Sequence, residues 1–232
     1  MRSFPTTVTR MRVLAPLMML AACAALAPAV QAAAPTVTPL QIGALRIGEG
    51  MPKTIVPITG ATAELALQQA AAIAASPATD LAEWRIDYLD IATDAPALTA
   101  LGKRIQQTLG GKPLIVTFRT KAEGGAMPIS DAAYGALNAA LVRGGFAQLI
   151  DVEMFRDPAV VEALVTAAHR AGVKVVMSSH DFQATPAREE IVARLLKQQA
   201  LGADVLKIAV MPHDAGDVLA LLDATWQVRQ RS

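Results

Sequence analysis

Leu81-Ala82-Glu83-Trp84-Arg85-Ile86-Asp87 alternates charged and apolar side chains with a period of two. That is the period of a β-strand, and it sets Glu83, Arg85 and Asp87 on one face against Trp84 and Ile86 on the other. The apolar face calls for helices packed over it. The charged face calls for partners, because an ionised group left unpaired in an apolar core costs more than a domain's net stability.

Outward from this segment, short apolar runs alternate with longer stretches of helical spacing, the pattern of repeated βα units around a parallel sheet. Strands are predicted at Thr54–Ile58, Leu81–Asp87, Pro113–Arg119, Leu149–Phe155, Lys174–Asp181 and Val205–Met211. Helices are predicted at Ala63–Ala75, Ala95–Leu109, Ser130–Arg143, Pro158–Ala171, Pro186–Leu201 and Ala215–Arg229. Gly144-Gly145, Gly172 and Gly202 follow three of them, where a left-handed stop is favoured. Ahead of the first unit, Leu40-Gln41-Ile42 and Leu45-Arg46-Ile47 around Gly43-Ala44 read as a short hairpin, a lid or plug.

Parallel strands are covered on both faces and ordinarily read as continuous apolar runs. Here Arg119 ends the third strand, Asp151 and Glu153 share a face of the fourth, His180 and Asp181 end the fifth, and Lys207 lies inside the sixth. Charges from the ends of five consecutive strands meet if the sheet closes into a barrel, whose site lies at the carboxyl end of its strands. An open doubly wound sheet would spread them along a crevice and usually bring a glycine-rich phosphate loop. Gly48-Glu49-Gly50 and Glu123-Gly124-Gly125 have neither the spacing nor the context of one.

A lysine in a strand is ordinarily an edge residue with its ammonium in water. The flanks Val205, Leu206, Ile208, Ala209 and Val210 argue for a strand buried on both sides, and a partly desolvated amine is a nucleophile toward carbonyl carbon. His180 taken alone reads as a capping or core histidine. At the carboxyl end of the neighbouring strand, about 5 Å away, it is an acid–base group within reach of a lysine adduct. His169 and His213 have no such company, and a zinc site lacks three convergent His or Cys ligands.

Twenty-one basic and 20 acidic residues leave a net charge of +1, so nothing points to nucleic acid or an anionic membrane surface and a small molecule is the expected partner. Residues 1–34 read as a signal peptide and short linker: Arg2, Arg10 and Arg12 precede an apolar run from Val13 to Ala27, with a cleavage site after Ala32. The expected location is therefore periplasmic or extracellular. Leu20-Ala21-Ala22-Cys23 resembles a lipoprotein processing site, which makes a lipid anchor at Cys23 the alternative. Residues 35–232 form the expected single domain.

Glu83-Trp84-Arg85-Ile86-Asp87, Thr117-Phe118-Arg119-Thr120, Glu123-Gly124-Gly125, Ile150-Asp151-Val152-Glu153, Ser178-Ser179-His180-Asp181-Phe182 with Thr185-Pro186, and Lys207-Ile208-Ala209-Val210-Met211-Pro212 together resemble type I 3-dehydroquinate dehydratase in order and spacing. The resemblance implies an α/β chain of the (β/α)8 TIM-barrel family. It also implies a lyase that dehydrates 3-dehydroquinate to 3-dehydroshikimate without metal or organic cofactor. Carried over by position, Lys207 is the Schiff-base lysine and His180 the general acid–base residue. Glu83, Arg85 and Arg119 hold the substrate's hydroxyl groups, and Glu123 steadies the charges around them.

The chain departs from that pattern at Pro57 and at its end, since Ser232 follows the sixth predicted helix and a barrel of this type spans roughly 250 residues. The expectation is an incomplete barrel of six units without the arginine that in the family binds the substrate carboxylate. Open sheet edges would invite pairing with a second copy. Two functions follow: a dehydratase of the shikimate pathway or of quinate breakdown, or a catalytically impaired homologue acting in binding or assembly.

Overall fold

The structure, a computed structural model, describes residues 38–231; the predicted leader, Cys23 included, lies outside the described residues. A hairpin of β1 (Leu40–Ile42) and β2 (Leu45–Ile47) comes first. Six βα units follow: β3 (Ile55–Ile58) and α1 (Ala63–Ala75), β4 (Leu81–Arg85) and α2 (Ala95–Thr108), β5 (Leu114–Thr117) and α3 (Asp131–Arg143), β6 (Leu149–Glu153) and α4 (Pro158–Arg170), β7 (Lys174–Asp181) and α5 (Arg188–Ala200), β8 (Val205–Val210) and α6 (Ala215–Arg229). Side chains of Thr62, Asp94, Ser130, Asp157 and Asp214 cap five of the helices by accepting backbone N–H groups of their first turns.

Strands β3 to β8 form one parallel sheet in sequential order, and the hairpin is a sheet of its own. The parallel sheet is curled into part of a barrel. Lys207 Nζ on β8 lies 3.4 Å from Glu83 Oε1 on β4, although four inter-strand steps of about 4.8 Å would hold their backbones about 19 Å apart in a flat sheet. Trp84, Val116, Val152 and Met177 face outward and pack under the helices in the main core. On the inner face, Leu81, Ile115, Leu149 and Val176 pack against Ile42 of the hairpin, which plugs the amino-terminal end.

That end is also fastened by a repeated device. The residue just before a strand donates its N–H to the carbonyl of a residue at the start of the preceding strand, while its side chain accepts that residue's N–H. Asp80 does this to Thr54, Gln148 to Leu114 and Asp204 to Val175. The pairs β3–β4, β5–β6 and β7–β8 are each joined in this way.

Three features differ from the sequence reading. The chain leaves β4 at Arg85 and turns through a 3-10 helix, Ile86–Tyr88. Asp87 therefore does not continue the charged face but turns back onto Arg85, held by N–H groups of Arg119 and Ala126. Gly145, with φ of 72°, is left-handed after α3, whereas Gly144 is right-handed. Lastly, β8 is not buried on both sides: every residue in it is half-buried, because β8 and β3 are the two edges of the sheet. Beyond β8, α6 buries Ala224 and Val228 but exposes Val218, Leu219, Leu222 and Trp226.

Candidate active site

Beta pairing between β5 and β6 stops after Ile115–Leu149 and Val116–Ile150. The strands then part, and Arg119 occupies the space between their carboxyl ends. Its guanidinium, almost fully buried, lies 2.8 Å from Asp151, 3.0 Å from Glu153 and 3.6 Å from Glu123. It also donates to Ser178 Oγ at 2.9 Å, and that hydroxyl donates to Asp151 at 2.7 Å. Thr120 gives Glu153 both its N–H and its hydroxyl, each at 2.8 Å. Where the strands part, the Tyr134 hydroxyl from α3 donates to the Asp151 carbonyl and accepts the Glu153 N–H.

The charges in this web shape one another. Burial lowers the pKa of Arg119, but the carboxylates of Asp151 and Glu153 outweigh it and hold the group above its ordinary value. Burial raises Asp151, and the positive charges of Arg119 and Lys207 more than reverse that, leaving it low. Glu153 stays raised because desolvation exceeds the help from Thr120 and Arg119. Ions this deep persist only when their partners are in place.

His180 lies at the end of β7 with Nδ1 2.8 Å from Glu123 Oε2. Glu123 comes from a 3-10 turn, Lys121–Glu123, that ends in left-handed Gly124 at φ 81°. A Cβ on Gly124 would lie 2.4 Å from the Phe182 ring, and one on Gly125 would lie 1.8 Å from the Arg119 carbonyl. Both glycines are thus required for close approach. Phe182 in turn lies parallel to the His180 imidazole, 6.1 Å between ring centres.

Lys207 pairs in register with Ser178, and His180 with Ala209. Both side chains therefore share the inner face, with His180 one same-face position further toward the carboxyl end. Lys207 Nζ lies 3.4 Å from Glu83 and 3.5 Å from Asp151. Thr117 holds Glu83 by a 2.8 Å hydrogen bond. The lysine borders a cavity of about 440 Å³ whose apolar wall includes Leu81, Ile115, Leu149 and Val176. The expected dry amine is not found: the side chain is 34% exposed, since an edge strand leaves one flank open.

Among the predicted site residues, Glu83, Arg119, Glu123, His180 and Lys207 are thus linked through shared contacts, with Asp151 joining Lys207 to Arg119. Arg85 stands to one side, bound to Asp87 through two 2.8 Å hydrogen bonds and stacked on Tyr88. The sequence puts Asp151 and Glu153 on one strand face and Ser178 in the motif that contains His180 without giving any of the three a role, and it does not single out Tyr134. The available signal for Ser178 is the period of two that relates it to His180. His169 lies elsewhere, bound to Asp204, and His213 to the Gln183 carbonyl. Among the described residues no cluster of three or more His, Cys, Asp or Glu is arranged to hold a metal ion.

Known proteins resemble this chain in sequence and in fold. An Acinetobacter baylyi protein named catabolic 3-dehydroquinate dehydratase is 48% identical over 188 residues, which are 81% of this chain and 69% of that protein. The 3-dehydroquinate dehydratase of Enterococcus faecalis is 47% identical over 187 residues, 81% of this chain and 74% of the relative. Its solved structure covers 79% of this chain and 76% of its own with a TM-score of 0.77. The Clostridium difficile type I enzyme, solved with covalently modified comenic acid, gives a TM-score of 0.78 at 40% identity, covering 81% of this chain and 74% of that one. Residues 54–232 match the type I 3-dehydroquinase family, and by that match and these identities the chain belongs to it.

Proposed function

We propose that the protein dehydrates 3-dehydroquinate to 3-dehydroshikimate through an imine on Lys207, with His180 moving the protons. The observation that carries this reading is the placement of Lys207 and His180 on one inner face, with His180 Nδ1 engaged by Glu123. Engagement of Nδ1 leaves Nε2 as the nitrogen that exchanges protons with a ligand.

In its free-base form, Lys207 adds to the ring ketone and water leaves as the protonated imine forms. The imine draws electrons from the adjacent carbon–hydrogen bond, and His180 Nε2 takes that proton. The enamine pair then expels the hydroxyl on the next carbon, which leaves as water with the proton returned by His180. Hydrolysis of the conjugated imine restores Lys207. The balance is one water lost with no oxidation, so type I chemistry runs on a covalent lysine intermediate without a cofactor. In this reading Glu83, beside Lys207, and Arg119, through the web it holds together, order the ligand's hydroxyl groups. Arg85 takes the same role at the rim, with Asp87 fixing its direction.

Incubation with 3-dehydroquinate and borohydride, followed by mass spectrometry, tests the reading. A reduced adduct on Lys207, with growing absorbance from the conjugated product, is expected. A folded protein that forms neither overturns it.

The exposed row Val218, Leu219, Leu222 and Trp226 on α6, beside the open edge of β8, supports pairing with a second copy. Sedimentation that returns a monomer at micromolar concentration contradicts that part. The basic and apolar text of residues 1–34 supports export, and with it a role in quinate breakdown outside the cytoplasm, in keeping with the name of the Acinetobacter relative. Recovery of the unprocessed chain from the cytoplasmic fraction contradicts export.

A further inference from the structure

We infer that Gln198 is a positioning residue for the lysine nucleophile, acting on the peptide group of Lys207 from helix α5; the inference rests on the reading of Lys207 given above. Gln198 is fully buried. The Lys207 N–H donates to its Oε1 at 3.0 Å, and its Nε2 donates to the Lys207 carbonyl at 2.8 Å. Nε2 also approaches Met154 Sδ at 3.4 Å. The orientation of the amide is forced, because a backbone N–H only donates and a carbonyl only accepts.

A primary amide is costly to bury unless its groups are bonded, and here its oxygen and nitrogen are both used on residues beside the charged web. Met154 follows Glu153 on the end of β6, and Lys207 lies in β8. Gln198 thus ties together two strands that do not pair with each other. On the edge strand this side chain offers the donor and the acceptor that a neighbouring strand gives an interior one. The lysine amine is carried on a long flexible stem, so a shift of its backbone moves Nζ away from Glu83, Asp151 and the carbonyl it must attack. Misplacement of a reacting group by about 1 Å costs on the order of a hundredfold. Nothing in the residue type marks this role: in the sequence Gln198 is one of two adjacent glutamines in a polar helix.

The test uses the full chain with Gln198→Met, which keeps length and removes both backbone bonds, and Gln198→Glu, which keeps only the acceptor. In Gln198→Met we expect kcat to fall by at least about tenfold with KM within about twofold. Formation of the borohydride-trapped Lys207 adduct should slow in parallel, and Gln198→Glu should fall between. A purely structural role would lower the melting temperature and leave kcat per folded molecule unchanged, and that result overturns the inference. Hydrogen exchange on the unsubstituted protein supplies a measurement independent of variant folding: the Lys207 amide should be protected like those of interior strands, and exchange as fast as a loop amide overturns the clamp. Absence of any adduct in the unsubstituted chain sinks the reading of Lys207 and this inference with it. A full-rate adduct in folded Gln198→Met sinks this inference alone.

Discussion

Glu123 Oε2 stands 2.8 Å from His180 Nδ1, and the two residues come from different elements, a 3-10 turn after β5 and the end of β7. A carboxylate so placed fixes the ring's orientation and keeps Nε2 turned to the ligand. Replacing Glu123 by Gln keeps a hydrogen-bonding group there and removes the charge. The expected outcome is a fall in kcat of roughly ten- to a thousandfold with KM within about twofold, checked by steady-state kinetics on a variant whose melting curve is unchanged.

Arg119 is the one cation within 3.0 Å of both Asp151 and Glu153 among the described residues. Its replacement by Met leaves those buried carboxylates without their guanidinium, and removal of one partner from such a web costs about 3–5 kcal/mol. Urea titration should show that loss. Arg119→Lys keeps the charge but not the fork that serves two carboxylates and Ser178, and should recover only part of it.

Asp151 and Glu153 give stability opposite dependences on pH. The folded pKa of Asp151 is lowered, so its contribution is complete above the unfolded value of about 3.9 and is lost as the pH falls through the folded value. That of Glu153 is raised, so ionising it costs stability as the pH climbs from about 4.3 through the folded value. Urea midpoints followed on both sides of the unfolded values of about 3.9 and 4.3 should therefore lose part of their acid slope in Asp151→Asn. In Glu153→Gln, part of the decline on the alkaline side of about 4.3 should vanish.

Gly124 combines a left-handed backbone with contact to Phe182. Gly124→Ala should cost roughly 1–2 kcal/mol for the backbone alone, and more for the displaced ring. Adding Phe182→Leu should return the steric part and leave the backbone part, a separation that a double-mutant cycle in thermal unfolding measures.

Much of this molecule is legible along the chain because two periods rarely coincide by chance. Alternation in Leu81–Arg85 and in Leu149–Glu153 marks strands with a charged inner face, and the adjacency of their strands brings Lys207 and His180 near each other, while the β7–β8 register sets both on one face. Periodicity makes Asp87 a third strand charge because it cannot see the backbone turn that two N–H groups and the Arg85 guanidinium hold. The partial exposure of Lys207 is hidden for another reason: the apolar neighbours are real, but which strand is an edge is a property of sheet order. Tyr134 and Gln198 carry no local signal at all. Each is a helix residue whose polar tip finds a backbone group on a strand that only the folded chain brings near.

The fastenings made by Asp80, Gln148 and Asp204 lie at the amino-terminal rim, while the charged residues gather at the opposite one. Heat tolerance and turnover are therefore adjustable at separate ends of the same strands. Each fastening closes one strand pair, β3–β4, β5–β6 or β7–β8, and leaves β4–β5 and β6–β7 to the hydrogen bonds of the sheet itself.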